Sequence, residues 1–437
     1  MRRAVHRPAL CSPSPVETMK RHRAPKSLLL SSKKTTRSSP STPPSPHSTP
    51  RHSKSIPSSK TKRPLIISSN PSSSSWAWEP LHIQRSELSL PLTFPTGQTF
   101  RWKQTGPAQY TGPIKSHLIS LKHIDGDDAS GAIAFCVHHT PDLFQAVADL
   151  RDFLNLSISL ADVWKSFSTS DPCFAQLASH LQGARVMRQE PLECLFQFLC
   201  SSNNNIKRIT NMVGVISSFG DYLGSVGGFD FHEFPSLEQL STVSEKQLRK
   251  DGFGYREYYF SAPQQSICIL SSLSLSRATM DRAKYVVGTV KALLSKPGGG
   301  SEWLTSLRGL ELDEVINALC TLPGVGAKVA ACIALFSLDQ HHAIPVDTHV
   351  WRIASRYLLP ELSGLRPTPK LCSQVAEAFV SKFGRYAGWA QNVLFIAELP
   401  SQKATLPSDL CTVKERKSAH IEFEKQEVTV EVLSANW

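Results

Sequence analysis

One eight-residue stretch constrains this chain more than any other: Leu322-Pro323-Gly324-Val325-Gly326-Ala327-Lys328-Val329. Apolar residues at helical spacing flank it. Val315, Ile316 and Leu319 mark a helix before it, and Val329, Ile333 and Phe336 mark one after it. The pattern predicts a helix–hairpin–helix. Gly324 and Gly326 let the backbone turn tightly and come close to a ligand. The N–H groups opening the second helix then point outward with the positive end of its dipole, which suits one backbone phosphate and reads no base sequence. A nucleotide P-loop is excluded. That motif needs Gly-x4-Gly-Lys-Ser/Thr, whereas Lys328 follows Gly326 by two and Val329 comes next. Taken alone, the hairpin could also be a plain αα-turn stabilised by glycine.

Lys328 falls in the first turn of the second helix, where the dipole favours acids and repels cations. A lysine there is misplaced unless it is used, and an amine freed of its proton is a Schiff-base nucleophile. A solvated lysine is the plainer alternative. Nineteen residues on, Pro345-Val346-Asp347-Thr348-His349-Val350-Trp351 sets Asp347 just before the next helical stretch. An N-cap aspartate is a common device worth about 1 kcal/mol. Paired with a helix-start lysine after a nucleic-acid-type hairpin, it also reads as the nucleophile's acid–base partner.

The rest of the chain divides by composition and period. Residues 1–75 hold 20 Ser and 12 Pro, with 15 Lys+Arg against one acid, Glu17. Such a segment cannot bury enough apolar surface to order itself, so it is expected to be a disordered basic tail. It accounts for the whole formal charge of +12. The remaining residues carry 33 bases and 35 acids, so they must hold any polyanion by local donors rather than by bulk field. The clusters Lys20-Arg21-His22-Arg23, Lys33-Lys34 and Lys60-Thr61-Lys62-Arg63 fit a nuclear address, and the same composition fits an organellar one.

Residues 76–170 are expected to form an N-terminal antiparallel sheet domain. Its strand signals are Gln98–Lys103, His117–Lys122 and Ala132–Val137, with Asp125-Gly126 as a hairpin turn. Residues 171–400 read as an all-helical body. Leu192, Leu195, Phe196 and Leu199 follow Pro191 at one-face spacing, Val375, Ala376 and Phe379 mark a later helix, and Trp389–Leu399 another. Residues 401–437 are a polar tail in which Val428, Val430 and Val432 alternate. The fold class is therefore α+β. The longest apolar run, Val329–Phe336, has eight residues, far short of the ~20 that span a bilayer. Ten cysteines without a Cys-x-x-Cys pair give no zinc ribbon, and no metal or cofactor is expected.

Several separated segments resemble the eukaryotic 8-oxoguanine DNA glycosylase/AP lyases of the helix–hairpin–helix glycosylase superfamily. Besides the hairpin and Asp347, they are Gly97-Gln98-Thr99-Phe100-Arg101-Trp102, Cys200-Ser201-Ser202-Asn203-Asn204-Asn205-Ile206-Lys207-Arg208-Ile209, Gly254-Tyr255-Arg256 and Tyr386-Ala387-Gly388-Trp389-Ala390-Gln391. They occur in order over residues 76–400. The resemblance implies excision of 8-oxoguanine, and of ring-opened purines, opposite cytosine in duplex DNA, with the damaged base flipped from the stack. Lys328 would attack the sugar C1′, and Asp347 would stabilise developing sugar charge and help activate the amine. Gly97 would offer its carbonyl to the hydrogen that oxidation places on guanine N7. Gln391 would bond the Watson–Crick edge, and Phe395 and Cys332 would sandwich the base. Asn203, with Asn204 beside it, would fill the vacated stack. Arg208 and Arg256 would bind the orphaned cytosine, Tyr255 would wedge the strand, and Gly324 and Gly326 would meet phosphates; His349 would donate to a phosphate or else pack beside the Asp347 cap.

An iron–sulfur relative is excluded, because only Cys372 and Cys411 follow Cys332 and a cluster needs four cysteines. A monofunctional alkyl-base glycosylase would lack Lys328. A non-catalytic helix–hairpin–helix DNA-binding protein is the alternative from another class, and it gives no reason for Lys328 and Asp347 together. The expected partner is double-stranded DNA, with no membrane; the expected state is a monomer and the expected compartment the nucleus, a mitochondrion or other organelle being the alternative.

Overall fold

A computed structural model describes residues 77–124, 133–254 and 281–407. The basic tail, Trp76, Asp125-Gly126, Tyr255, Arg256 and the Val428-Val430-Val432 alternation lie outside the described residues.

Five strands make an antiparallel sheet: β1 (Glu79–Pro80), β2 (Lys103–Gly106), β3 (Gln109–Ile114), β4 (His117–His123) and β5 (Ile133–His139), in the order β1-β5-β4-β3-β2. The expected strand at His117–Lys122 is β4, and the Ala132–Val137 run gives β5. Helix α1 (Leu143–Phe153), capped by Asp142, covers one face. Its Leu150 and Phe153 are buried with Leu121 and Phe135 of the sheet in one apolar core. Trp102 lies in that core between Phe94 and Phe153, with ring centroids 4.2 and 5.7 Å away and both pairs stacked.

The helical part comprises α2 (Leu160–Ser170), α3 (Pro191–Leu199), α4 (Ile206–Ser217), α5 (Arg282–Leu294), α6 (Leu312–Cys320), α7 (Ala327–Ser337), α8 (Thr348–Tyr357), α9 (Pro369–Phe383) and α10 (Ala387–Glu398), with shorter turns between. Apolar spacing foretold α3, α6, α7, α9 and α10. A small hairpin, β6 (Tyr222–Val226) with β7 (Phe229–His232), interrupts the helices, and its Leu223 and Phe231 pack on Leu118 of β4. α3 and α7 lie at the centre of the helical core, where Phe198 stacks on Phe336 at 5.4 Å.

The expected strand at Gln98–Lys103 is not one. Only Lys103 enters a ladder, as the first residue of β2. Side chains from the α3 region take the backbone bonds that a neighbouring strand would otherwise supply. Phe100 N donates to Gln197 Oε1 at 2.8 Å, and Gln98 O accepts from Gln189 Nε2 at 2.6 Å. The aromatic signal was genuine burial of another kind, because Phe100 enters the helical core and Trp102 the sheet core. Gln98, 1% exposed, anchors this segment. Its Nε2 donates to Thr93 O and Arg185 O, both at 3.0 Å, and its Oε1 accepts from Met187 N at 3.0 Å.

Gln98→Leu keeps the volume and leaves Arg185 O and Met187 N without this partner, while Thr93 O keeps its bond from Thr96 Oγ1. Each such loss costs about 1–3 kcal/mol, so urea unfolding should show a destabilisation of at least about 2 kcal/mol. A variant as stable as the parent would remove Gln98 as the anchor.

Candidate active site

One cleft gathers residues from four separate parts of the sequence: Gly97 from the sheet side, Lys328 and Cys332 from α7, Asp347 from the start of α8, and Gln391 and Phe395 from α10. All six were singled out from sequence.

Gly326 is the N-cap of α7, so Lys328 stands in its first turn and is half-buried. Its Nζ donates to Ser201 Oγ at 3.2 Å. Ser201 Oγ in turn donates to Phe198 O at 2.7 Å. The hydroxyl's one proton is thus committed, and a lone pair faces the lysine. The Phe198 ring lies under the amine, its centroid 5.8 Å from Nζ. Cys332 sits one turn further on, 3% exposed. Burial pushes its thiol up, with Lys328 opposing, so the sulfur is an uncharged, polarisable wall.

Asp347 is the N-cap of α8 and lines the cleft. Its Oδ1 accepts from His349 N and Val350 N, each at 2.8 Å. Both bonds fall on one oxygen, so the cap does not use Oδ2. The two N–H groups also fix the carboxylate's direction beside the cleft. His349 is exposed and packs edge-on to Phe395, with centroids 5.8 Å apart. Arg352 Nη2 lies 2.9 Å from its Nδ1. Arginine can only donate, so the neutral imidazole carries its hydrogen on Nε2.

Gly97 has φ +88°, a left-handed conformation that a side chain would strain. Gln391 is 3% exposed and Asn392 4%, and both line the cleft. Asn392 Nδ2 is buried with no hydrogen-bond partner among the described residues.

A second group of residues surrounds this cleft. In the hairpin, Gly324 has φ +79°, and a Cβ there would fall 2.5 Å from the Tyr285 ring of α5. Gly326 is exposed, with nothing within 4 Å of an added Cβ, so its backbone is open to a ligand. Asn203 is exposed and adopts φ +47°. Asn204 turns its amide inward, donating to Cys200 O at 2.8 Å and to Met212 Sδ at 3.4 Å. Asn205 caps α4 by accepting from Arg208 N at 2.9 Å, and Arg208 Nη2 donates to Gly252 O at 3.3 Å. Gly254 ends the described segment there, and Tyr255 and Arg256 follow outside it.

Ser201 and Asn392 were not singled out from sequence, although Ser201 stood inside a quoted motif. A serine aimed at a lysine 127 residues away has no local signature. Neither has an asparagine whose importance lies in a missing partner.

Comparison with known proteins gives consistent likenesses. A family model described as the N-terminal domain of 8-oxoguanine DNA glycosylase matches residues 80–195. The N-glycosylase/DNA lyase OGG1 of Arabidopsis thaliana is 60% identical over 331 residues, covering 76% of this chain and 83% of that protein. An N-glycosylase/DNA lyase of Saccharomyces cerevisiae is 30% identical over 373 residues, covering 78% of this chain and 91% of the yeast protein. In fold, the chain is similar to the Clostridium acetobutylicum 8-oxoguanine glycosylase/lyase solved with double-stranded DNA containing cytosine opposite 8-oxoG. The TM-score is 0.57 at 24% identity, over 73% of this chain and 93% of that one.

The thiols give a direct check on the cleft. Cys320 is exposed and Cys332 buried. Iodoacetamide at pH 8 should label Cys320 in the native protein and reach Cys332 only on unfolding, as read by peptide mass spectrometry. Equal native labelling of both would contradict the buried, protonated thiol.

Proposed function

We infer that this chain, which belongs to the N-glycosylase/DNA lyase family of 8-oxoguanine repair enzymes, excises 8-oxoguanine from duplex DNA and nicks the strand behind it. The observation that carries the reading is the single cleft holding one amine, one carboxylate and a set of base-sized walls. A non-catalytic DNA grip would need the hairpin but no lysine aimed into a cleft beside an oriented aspartate.

The residues divide the work as follows. The base leaves the stack and enters the cleft between Cys332 and Phe395. Gln391 meets its Watson–Crick edge. The Gly97 carbonyl accepts the N7 hydrogen that only the oxidised base carries, while normal guanine presents a repelled lone pair. Lys328 Nζ attacks C1′ as the bond to the base breaks and the base departs with its electron pair. Asp347 stabilises the positive charge that develops on the sugar and takes part in moving the amine's proton. Ring opening gives a Schiff base, which acidifies the C2′ proton. Its removal expels the 3′ phosphate by β-elimination. Ser201 holds the amine by accepting from it, and its own O–H stays directed at Phe198 O. Asn203 fills the gap in the stack, with Asn204 bracing its loop. Hairpin N–H groups and His349 meet phosphates. The opposite base is cytosine, ring-opened purines are further substrates, the working unit is a monomer, and the partner is DNA rather than a membrane. Residues 1–75 serve as a nuclear or organellar address or a salt-sensitive tether.

Incubation with a duplex holding 8-oxoguanine opposite cytosine, followed by borohydride, should trap a covalent protein–DNA adduct. Lys328→Gln should abolish trapping and keep binding. Asp347→Asn should bind as well as the parent and lose about two or more orders of magnitude in single-turnover rate. An unchanged rate would reduce Asp347 to a cap, and failure of the parent to trap despite tight binding would favour the grip-only reading.

The tail generates a separate expectation. Deleting residues 1–75 should leave excision on short duplexes intact at moderate salt, and fluorescent fusions with and without it should differ in compartment. Abolished excision would give the tail a direct part in the chemistry.

A further inference from the structure

We propose that Ile206 is a positioning residue for lesion recognition, holding the Gly97 carbonyl in the direction from which it meets the damaged base. This rests on the glycosylase reading above, in which that carbonyl accepts the N7 hydrogen. It gives a role to a side chain to which the resemblance assigns none.

Ile206 is the first residue of α4, directly after its cap Asn205. It is 39% exposed. A single exposed isoleucine needs no explanation by itself. What stands out is where it lies. A Cβ built on Gly97 would fall 3.5 Å from Ile206 Cδ1 and 3.8 Å from its Cγ1, and beyond the adjoining residues nothing else would come within 4 Å. The isoleucine therefore covers the side of Gly97 on which any other residue would carry a side chain. Ile206 is not among the residues that line the cleft, so it acts through Gly97 rather than on the base.

Gly97 needs such a neighbour. One hydrogen atom separates the damaged base from the normal one at this carbonyl, so the direction of the C=O must be held closely. Glycine has wide backbone freedom, and Gly97 stands at φ +88°, ψ 11°. The bonds that anchor the segment run from the Gln98 side chain and to Gln98 O. None of them grips the peptide plane that joins Gly97 to Gln98, and that plane holds the Gly97 oxygen. A packed side chain against the Gly97 Cα limits how far the plane can swing. Isoleucine suits the task, because a β-branched side chain in a helix has one strongly preferred χ1. The helix start is itself fixed, with Asn205 Oδ1 accepting from Arg208 N at 2.9 Å. Ile206 also follows closely on Asn203, the exposed residue at φ +47°. The segment that fills the gap in the stack thus presses on the loop that inspects the extruded base.

The test compares the parent, Ile206→Val and Ile206→Ala in two single-turnover reactions. One is excision of 8-oxoguanine opposite cytosine, and the other is nicking of the same duplex carrying a preformed abasic site. Nicking uses Lys328 and Asp347 but offers no base for Gly97 to meet. Ile206→Ala removes both contacting carbons and should slow excision by about tenfold or more, while nicking changes by less than about twofold. Ile206→Val keeps the Cγ1 position and should fall between. In a Lys328→Gln background, Ile206→Ala should narrow the binding preference for the 8-oxoguanine duplex over the guanine duplex by a similar factor. Equal losses in excision and nicking would make Ile206 a support for the whole site and overturn the proposal. Unchanged excision would overturn it as well, and so would slowed excision with the preference over guanine intact. If Ile206→Ala fails to fold, Ile206→Val carries the comparison on the same terms. If the parent nicks the abasic site but excises no 8-oxoguanine, or does neither, the glycosylase reading fails first.

Discussion

Three buried glutamines hold the lesion cleft in register. Gln98 closes its own loop onto the backbone around Arg185 and Met187, Gln189 grips Gln98 O, and Gln197 takes Phe100 N while donating to Gln189 and Glu193. The same cluster reaches α7, because Gln189 N donates to Phe336 O at 2.8 Å. Arg101 pairs with Glu193 beside it, both side chains almost wholly buried. The loop that carries Gly97 is therefore fastened to the helix that carries Phe198 and to the far end of the helix that begins near Lys328. Buried amides of this kind are costly unless every donor and acceptor is met, and their directionality then admits one arrangement of the parts. Apolar contact alone would allow the sheet-side loop to slide on α3.

Two cations of the helical part stand where a helix dipole opposes them. Lys328 opens α7 and Arg282 opens α5. The fold answers differently in the two places. Lys328 has a hydroxyl lone pair and an aromatic face against its amine. Arg282 has the carbonyls of Ser202 and Asn203, both of which accept from its Nη2.

Much of this was legible in the sequence, and the division has a physical basis. Apolar spacing marks an amphipathic helix locally, so α3, α6, α7, α9 and α10 could be read directly. The hairpin showed itself through its glycines, and Lys328 and Asp347 through charge at helix starts. Gly97, Gln391, Phe395 and Cys332 are locally indistinguishable from a turn and a core, and only the resemblance marked them. The segment Gln98–Trp102 misled because aromatic burial was taken for strand pairing, while its hydrogen bonds run to glutamines nearly a hundred residues away. Ser201, Arg282 and Asn392 share that property. What matters in each is a polar partner, present or missing, set by tertiary structure, and no periodicity encodes it.

The pair of hydrogen bonds accepted by Asp347 Oδ1 ties the carboxylate's direction to the end of a helix. A carboxylate held by two amides of α8 has no rotamer search left to make when substrate arrives, so its ordering is settled during folding rather than at each turnover. The same arrangement makes that direction depend on the first turn of α8. Helix ends fray far faster than a protein unfolds, and while that turn is open the carboxylate loses its direction. With Asp347 in the role proposed for it, the fraction of time the turn stays wound sets an upper bound on the fraction of enzyme competent to react, independently of how tightly DNA is held.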